Sequence, residues 1–169
     1  ALIQLPNVVE LPMIYLALSK LGIICSPIPM QYGAYEINSI IAETMPKAFI
    51  SIQTFNKNAH AEQFSSAFIN DELKFALGEI ENFIDLHTYN PVSDAYESQQ
   101  SYAQDNPITA NDIFTICWTS GTTGTPKGVP RSHNLWLPMA KAAGYVSETE
   151  EGDTLLNPFP MINLPLSVQ

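Results

Sequence analysis

Positive charge is scarce in this sequence: seven lysines and arginines stand against seventeen aspartates and glutamates, for a formal net charge of −10. A protein that grips a nucleic-acid backbone neutralises phosphates with clustered basic residues, and these seven are scattered, so nucleic acid is not an expected partner. The deficit still leaves room for a nucleotide, because one lysine and a few inward-turned backbone N–H groups can hold a polyphosphate that arrives with magnesium. Cysteine is equally sparse. Cys25 and Cys117 sit in apolar runs that read as buried strands, and two such residues make no disulfide framework, so a reducing, cytoplasmic compartment is expected. Long hydrophobic runs are missing too. The longest, Leu11 to Leu18, is broken by Ser19 and Lys20, short of the roughly 20 apolar residues that span a bilayer, and no membrane span is expected. No signal peptide is visible, and the opening Ala1-Leu2-Ile3-Gln4-Leu5 reads as a strand from the middle of a longer sequence. His60, His87 and His133 have no ligand spacing with one another or with a cysteine, so no metal site is expected.

What is present is apolar residue in quantity, 46% of a 169-residue chain, enough for one core of ordinary domain size. Leu2 to Leu5 reads as a buried strand. Asn7 with Glu10 three residues on forms a helix-start signal for a helix running to about Lys20, with Pro12 in its first turn and Gly22 ending it. Ile23 to Ser26 is a second strand, Ala34 to Met45 a helix with Ile37, Ile40 and Ile41 on its inner side, and Pro46 its stop. Lys47 to Ile52 gives a third strand, Ala59 to Ile69 a further helix, and Leu73 to Ile80 another strand. Such alternation predicts an α/β fold with a mostly parallel sheet and crossover helices. The runs Ile23 to Ser26, Lys47 to Ile52 and Ile113 to Trp118 are expected to be neighbouring strands of that sheet. From Leu86 to Pro107 the chain turns polar and reads as a surface connection, with Tyr89, Tyr96 and Tyr102 as partly buried anchors.

The chemistry concentrates after Trp118. An apolar strand from Asp112 runs directly into Thr119, Ser120, Gly121, Thr122, Thr123, Gly124, Thr125, Pro126 and Lys127. Glycines let successive backbone N–H groups turn around an anion, hydroxyls add donors, and the lysine supplies a point charge, which together suit a polyphosphate. By composition alone the run would pass for a flexible linker. A linker, however, need not follow a buried strand, end in Pro126 and Lys127, and resume as an extended segment through Gly128, Val129, Pro130, Arg131 and Ser132. The Walker A pattern fails, since Pro126 precedes the lysine and Gly128 follows it, and the kinase glycine pattern is absent. The loop should leave the C-terminal end of its strand, where open α/β sheets bind ligands. His133 and Arg131 follow closely: the first could orient the loop, face substrate or be structural, the second could contact phosphate or be a surface charge.

Thr119-Ser120-Gly121-Thr122-Thr123-Gly124-Thr125-Pro126-Lys127-Gly128-Val129 resembles, at every position, the signature loop of the adenylate-forming superfamily of acyl-CoA synthetases, peptide synthetase adenylation domains and firefly luciferase. The resemblance extends back to Gln4-Leu5-Pro6-Asn7 and forward through Ser132-His133-Asn134 to Pro158-Phe159-Pro160-Met161. It implies that residues 1–169 are part of a large N-terminal domain whose complete enzyme turns a carboxylic acid and Mg-ATP into an acyl-adenylate and pyrophosphate, then passes the acyl group to a thiol, coenzyme A by expectation. Thr119, Ser120, Gly121, Thr122, Thr123, Gly124, Thr125 and Lys127 would hold the β- and γ-phosphates, and Lys127 would stabilise charge growing on the leaving pyrophosphate. Trp118 before the loop and Pro130-Arg131-Ser132-His133 after it are more similar to acid:CoA ligases than to peptide synthetase domains. Asn163 stands where many members carry a histidine, so that residue's role does not carry over. The family's adenine, ribose and hinge motifs and its catalytic lysine would lie beyond Gln169, so the 169-residue chain alone is expected to be inactive, and the competing readings are a silent nucleotide-binding fragment or module and a peptide synthetase adenylation domain.

Overall fold

The computed structural model describes residues 1–64, 73–90, 95–119, 124–154 and 156–163. Along the chain the elements are β1 (Leu2–Ile3), α1 (Glu10–Lys20), β2 (Ser26–Pro27), α2 (Ala34–Thr44), β3 (Ala48–Ile52), β4 (Thr54–Phe55), β5 (Asn58–Ala59) and α3 (His60–Phe64). They continue with β6 (Leu73–Leu77), β7 (Ile84–Asp85), α4 (Ala95–Asp105), β8 (Ile113–Thr119), β9 (Lys127–Ser132) and α5 (His133–Val146), followed by a 3-10 turn at Met161–Asn163. Five strands form one parallel sheet in the order β2-β1-β3-β6-β7. The fold is therefore α/β with a mostly parallel sheet.

Chain direction explains the two-sided core. The chain steps from β1 outward to β2 and then back across β1 to β3, and right-handed crossovers place α1 and α2 on opposite faces of such a sheet. Side chains alternate accordingly. Leu2 and Phe49 face α2 with Ile37 and Ile40 in one buried cluster, while Ile3 and Ile50 join Leu11 and Tyr15 of α1 in the other. α1 ends as its sequence predicts: Gly22 takes a left-handed φ of 67°, and the Ile23 N–H reaches back to Leu18 O at 2.9 Å in a Schellman closure. α2 opens with the Glu36 carboxylate accepting from Gly33 N at 3.0 Å and ends at Met45, itself left-handed with φ 43°.

Several expectations are corrected. Asn7 does not cap α1, whose N-cap position is Val9 with helical angles and no side-chain cap. The polar stretch 86–107 contains α4, an 11-residue helix with no buried residue. Tyr89 and Tyr96 are 58% and 69% exposed, which removes them as anchors. α3 matches the start of the helix expected from Ala59, and residues 65–69 of that expectation lie outside the described residues. The expected single sheet is also revised. β8 pairs with β9 in an antiparallel hairpin and meets the large sheet through one parallel bridge, Cys25 to Thr115. Among the described residues no helix is long and apolar enough to cross a membrane.

Candidate functional site

The β8–β9 hairpin frames the site. Cys25 N donates to Phe114 O at 2.8 Å and Ile116 N to Cys25 O at 2.9 Å, so β8 runs parallel to β2 and ends at the same edge as the C-terminal ends of β1, β2 and β3. At that edge Thr119 and Lys127 are register partners, the last pair of the hairpin. The Thr119 hydroxyl lies 3.4 Å from the Lys127 carbonyl. Thr119, Gly124, Thr125 and Lys127 are exposed, whereas Pro126 is buried and seats the returning arm. Gly124 has φ 81°, a left-handed angle suited to glycine, and a Cβ there would meet nothing within 4 Å. Hydroxyls and an ammonium thus face open solvent at the ligand-binding end of the sheet. Ser120, Gly121, Thr122 and Thr123 lie outside the described residues.

Arg131 and His133, close to the loop in sequence, are carried away from it. β9 pairs Lys127 with Thr119 but Arg131 with Thr115 and Ser132 with Ile113, so Arg131 lies about 14 Å along the strand from Lys127 at ~3.4 Å per residue. Neither residue is a register partner of Thr119. His133 instead stacks on Phe114 with ring centroids 4.9 Å apart, and the Arg131 guanidinium lies 5.6 Å from the Trp136 ring centroid. Trp136 in turn donates to Thr115 Oγ1 at 2.9 Å, fixing α5 against β8. Between them lies an apolar cavity of about 170 Å³, bordered by Tyr15, Cys117, Leu137 and Ile162. Burial pushes the Tyr15 hydroxyl well above the usual tyrosine range and the Cys25 thiol up to about 12, so both stay neutral in the fold.

A second feature at the same edge escapes sequence reasoning. The Asn7 side chain donates to Phe159 O at 2.9 Å and accepts from Met161 N at 2.7 Å, clasping a segment more than 150 positions away. A crevice of about 420 Å³ opens beside this clasp, between Leu5, Met30, Ile52, Phe55 and Pro160. It sits where strand order reverses between β1 and β3, the usual ligand position in an open α/β sheet. No local spacing announces the clasp, since its partners are backbone groups remote in the sequence.

Comparison with known proteins agrees with this layout. A family model described as AMP-binding enzyme matches residues 1–163. A probable CoA ligase of Humulus lupulus is 27% identical over 164 residues, covering 94% of this chain and 28% of the relative. A D-alanine--D-alanyl carrier protein ligase of Streptococcus pneumoniae is 28% identical over 123 residues, covering 73% of this chain and 20% of the relative. The apo structure of Mycobacterium smegmatis MbtA superposes with a TM-score of 0.74 at 20% identity, covering 99% of this chain and 30% of that one. The chain thus spans about a quarter of the length of the curated relatives it matches. The sheet order, the hairpin with its hydroxyl and glycine loop, and the match over residues 1–163 lead to one assignment: this chain belongs to the AMP-binding enzyme family.

Proposed function

We propose that the chain is part of the N-terminal domain of an enzyme that activates a carboxylic acid with Mg-ATP, and that the loop from Thr119 to Lys127 holds the pyrophosphate portion of the nucleotide. The observation that carries this reading is the hairpin closure at the ligand-binding edge, where Thr119, Thr125 and Lys127 are exposed together. In the reaction a carboxylate oxygen attacks the α-phosphorus, the bond from the α-phosphorus to the bridging oxygen breaks, and pyrophosphate leaves with an acyl-adenylate formed. A thiolate then attacks the acyl carbon and AMP departs. The contribution of this chain to the first step is electrostatic. Thr119, Ser120, Thr122, Thr123 and Thr125 offer hydroxyl donors, Gly121 and Gly124 keep the backbone N–H groups approachable, and Lys127 meets charge that grows as the bond breaks. The donor set suits phosphate oxygens: hydroxyls, glycine amides and one ammonium, with no carboxylate between Thr119 and Lys127.

For the acceptor we propose coenzyme A, on the match to a probable CoA ligase over nearly the whole chain. The match to a carrier protein ligase supports a second reading, in which the acceptor is a thiol borne by a carrier protein. The deciding experiment is ATP–pyrophosphate exchange by the longest natural chain that carries this sequence, run against aryl, short-chain, long-chain and amino acids, followed by trapping with coenzyme A or a loaded carrier protein. Exchange dependent on one acid class is the expected result. No exchange with any class, together with no Mg-ATP binding, overturns the proposal.

A further inference from the structure

We infer that Trp118 is a positioning residue for the phosphate loop, acting through Ser26 and Gly128; the inference rests on the reading of that loop given above. A proline in β2 interrupts its pairing with β8. In β2 the N–H groups of Ser26 and Ile28 point to β1, donating to Ala1 O and Ile3 O at 2.8 Å each, while Cys25 points to β8. By alternation the next residue of β2 to face β8 is Pro27, which has no N–H to give. The backbone ladder between the two strands therefore stops at the Cys25–Thr115 bridge, four residues short of the loop.

A side chain takes over where the ladder ends. Trp118, only 9% exposed, donates its indole Nε1–H to Ser26 Oγ at 2.8 Å, a buried bond between the last residue before the loop's first threonine and strand β2 of the large sheet. The ring has room because its register partner is Gly128: a Cβ there would lie 3.1 Å from Trp118 Cη2 and 2.9 Å from Ile116 Cγ2. Both arms of the hairpin are thus referenced to one indole. Trp118 holds β8 to β2 through Ser26 and lies over the first residue after Lys127. A loop that grips an anion with several short hydrogen bonds depends on the placement of its two ends, so a loosened Trp118 should weaken the grip while leaving every loop donor intact.

The test uses the longest natural chain that carries this sequence and measures Mg-ATP affinity, steady-state kinetics and melting temperature for Ser26→Ala, Trp118→Phe, the double variant and Lys127→Ala. The emission lost on Trp118→Phe, compared with and without Ser26→Ala, reports whether the indole has lost its buried partner. The expected result is about three- to tenfold weaker Mg-ATP binding for Ser26→Ala, a similar loss for Trp118→Phe, and no further loss in the double variant, because both remove one hydrogen bond. Affinity unchanged in Ser26→Ala despite altered emission, or losses that simply add, would overturn the inference. Should Trp118→Phe fail to fold, Ser26→Ala decides alone. If Lys127→Ala also binds Mg-ATP as the parent does, the loop reading itself is wrong and the inference falls with it. A loss in Lys127→Ala without one in Ser26→Ala removes the inference and leaves the loop reading standing.

Discussion

Lys127 illustrates how one residue's placement sets its expected effect. It is exposed at the start of β9, with its backbone paired to Thr119 and its side chain outside the core. Lys127→Ala should therefore leave the melting temperature nearly unchanged. On the proposed reading pyrophosphate becomes more negative as the bond to the α-phosphate breaks, so a Lys127 contact would strengthen toward the transition state, and single-turnover adenylate formation by the longest natural chain should slow by about ten- to a hundredfold. An unchanged rate would remove Lys127 from the reaction. Cys25 shows the opposite case, a reactive group silenced by position. Burial raises its thiol from 9.0 to about 12, and the thiolate is the form that alkylates. At pH 8 its labelling by iodoacetamide should track global unfolding; labelling at the rate of a free thiol would contradict the buried placement. The sign of the linked pH effect follows. The unfolded thiol loses its proton above about 9 and the folded one only near 12, so in that window the native state binds more protons and stability falls as pH rises.

At the scale of elements, what was legible in the sequence is what depends on local pattern. The stripe Ile37, Ile40 and Ile41 placed α2, and Gly22 marked the end of α1, because each signal lies within one turn of what it controls. The hairpin Thr54 to Ala59 was not legible. Its two turn residues, Asn56 and Lys57, have φ 49° and 68°, a left-handed pair that usually announces itself with a glycine at the second position, and here a lysine stands there. The C-terminal cap of α2 has the same character: Met45 is 73% exposed and left-handed, and its N–H donates to Ile41 O at 2.8 Å. Met45→Gly keeps that bond and removes the Cβ conflict, so it should stabilise the protein by about 0.5 to 1 kcal/mol in denaturant unfolding. No gain, or a loss, would mean that the methionine side chain contributes packing its exposure does not suggest. The β8–β9 hairpin was half legible. Both strands could be read, but their pairing could not, because nothing in an apolar run states whether its neighbour is the strand after it or one ninety residues before.

At the scale of the whole molecule, α5 leaves apolar side chains exposed: no residue of this helix is fully buried, and Leu135, Leu137, Tyr145 and Val146 are 45%, 58%, 87% and 81% exposed. Exposed apolar area on this scale drives association. The 169-residue chain by itself should bind a hydrophobic dye in its native state and sediment as concentration-dependent oligomers, and a monodisperse monomer that binds no dye would contradict this. The candidate loop from Thr119 to Lys127 stands out in the sequence because its hydroxyls, glycines and lysine are contiguous, whereas the crevice beside Asn7 does not, because its walls come from four separated segments. Asn7 itself gives a sharp test. Asn7→Ala removes two hydrogen bonds from a partly solvated clasp, for about 1 to 2 kcal/mol in total, or roughly 2 to 4 °C of melting temperature per kcal/mol in a chain of this size. An unshifted melting curve would reduce the clasp to a surface contact.

That clasp also sets an order of events during synthesis. β1, β2 and β3 can assemble as soon as residue 52 has left the ribosome, with α1 and α2 already in place on their faces. Asn7 must wait for Met161, its partner 154 positions later. At about 5 to 20 residues per second the nascent chain carries an open clasp for roughly eight to thirty seconds, and the crevice beside Asn7 gains its Pro160 wall only when the last of these contacts arrives.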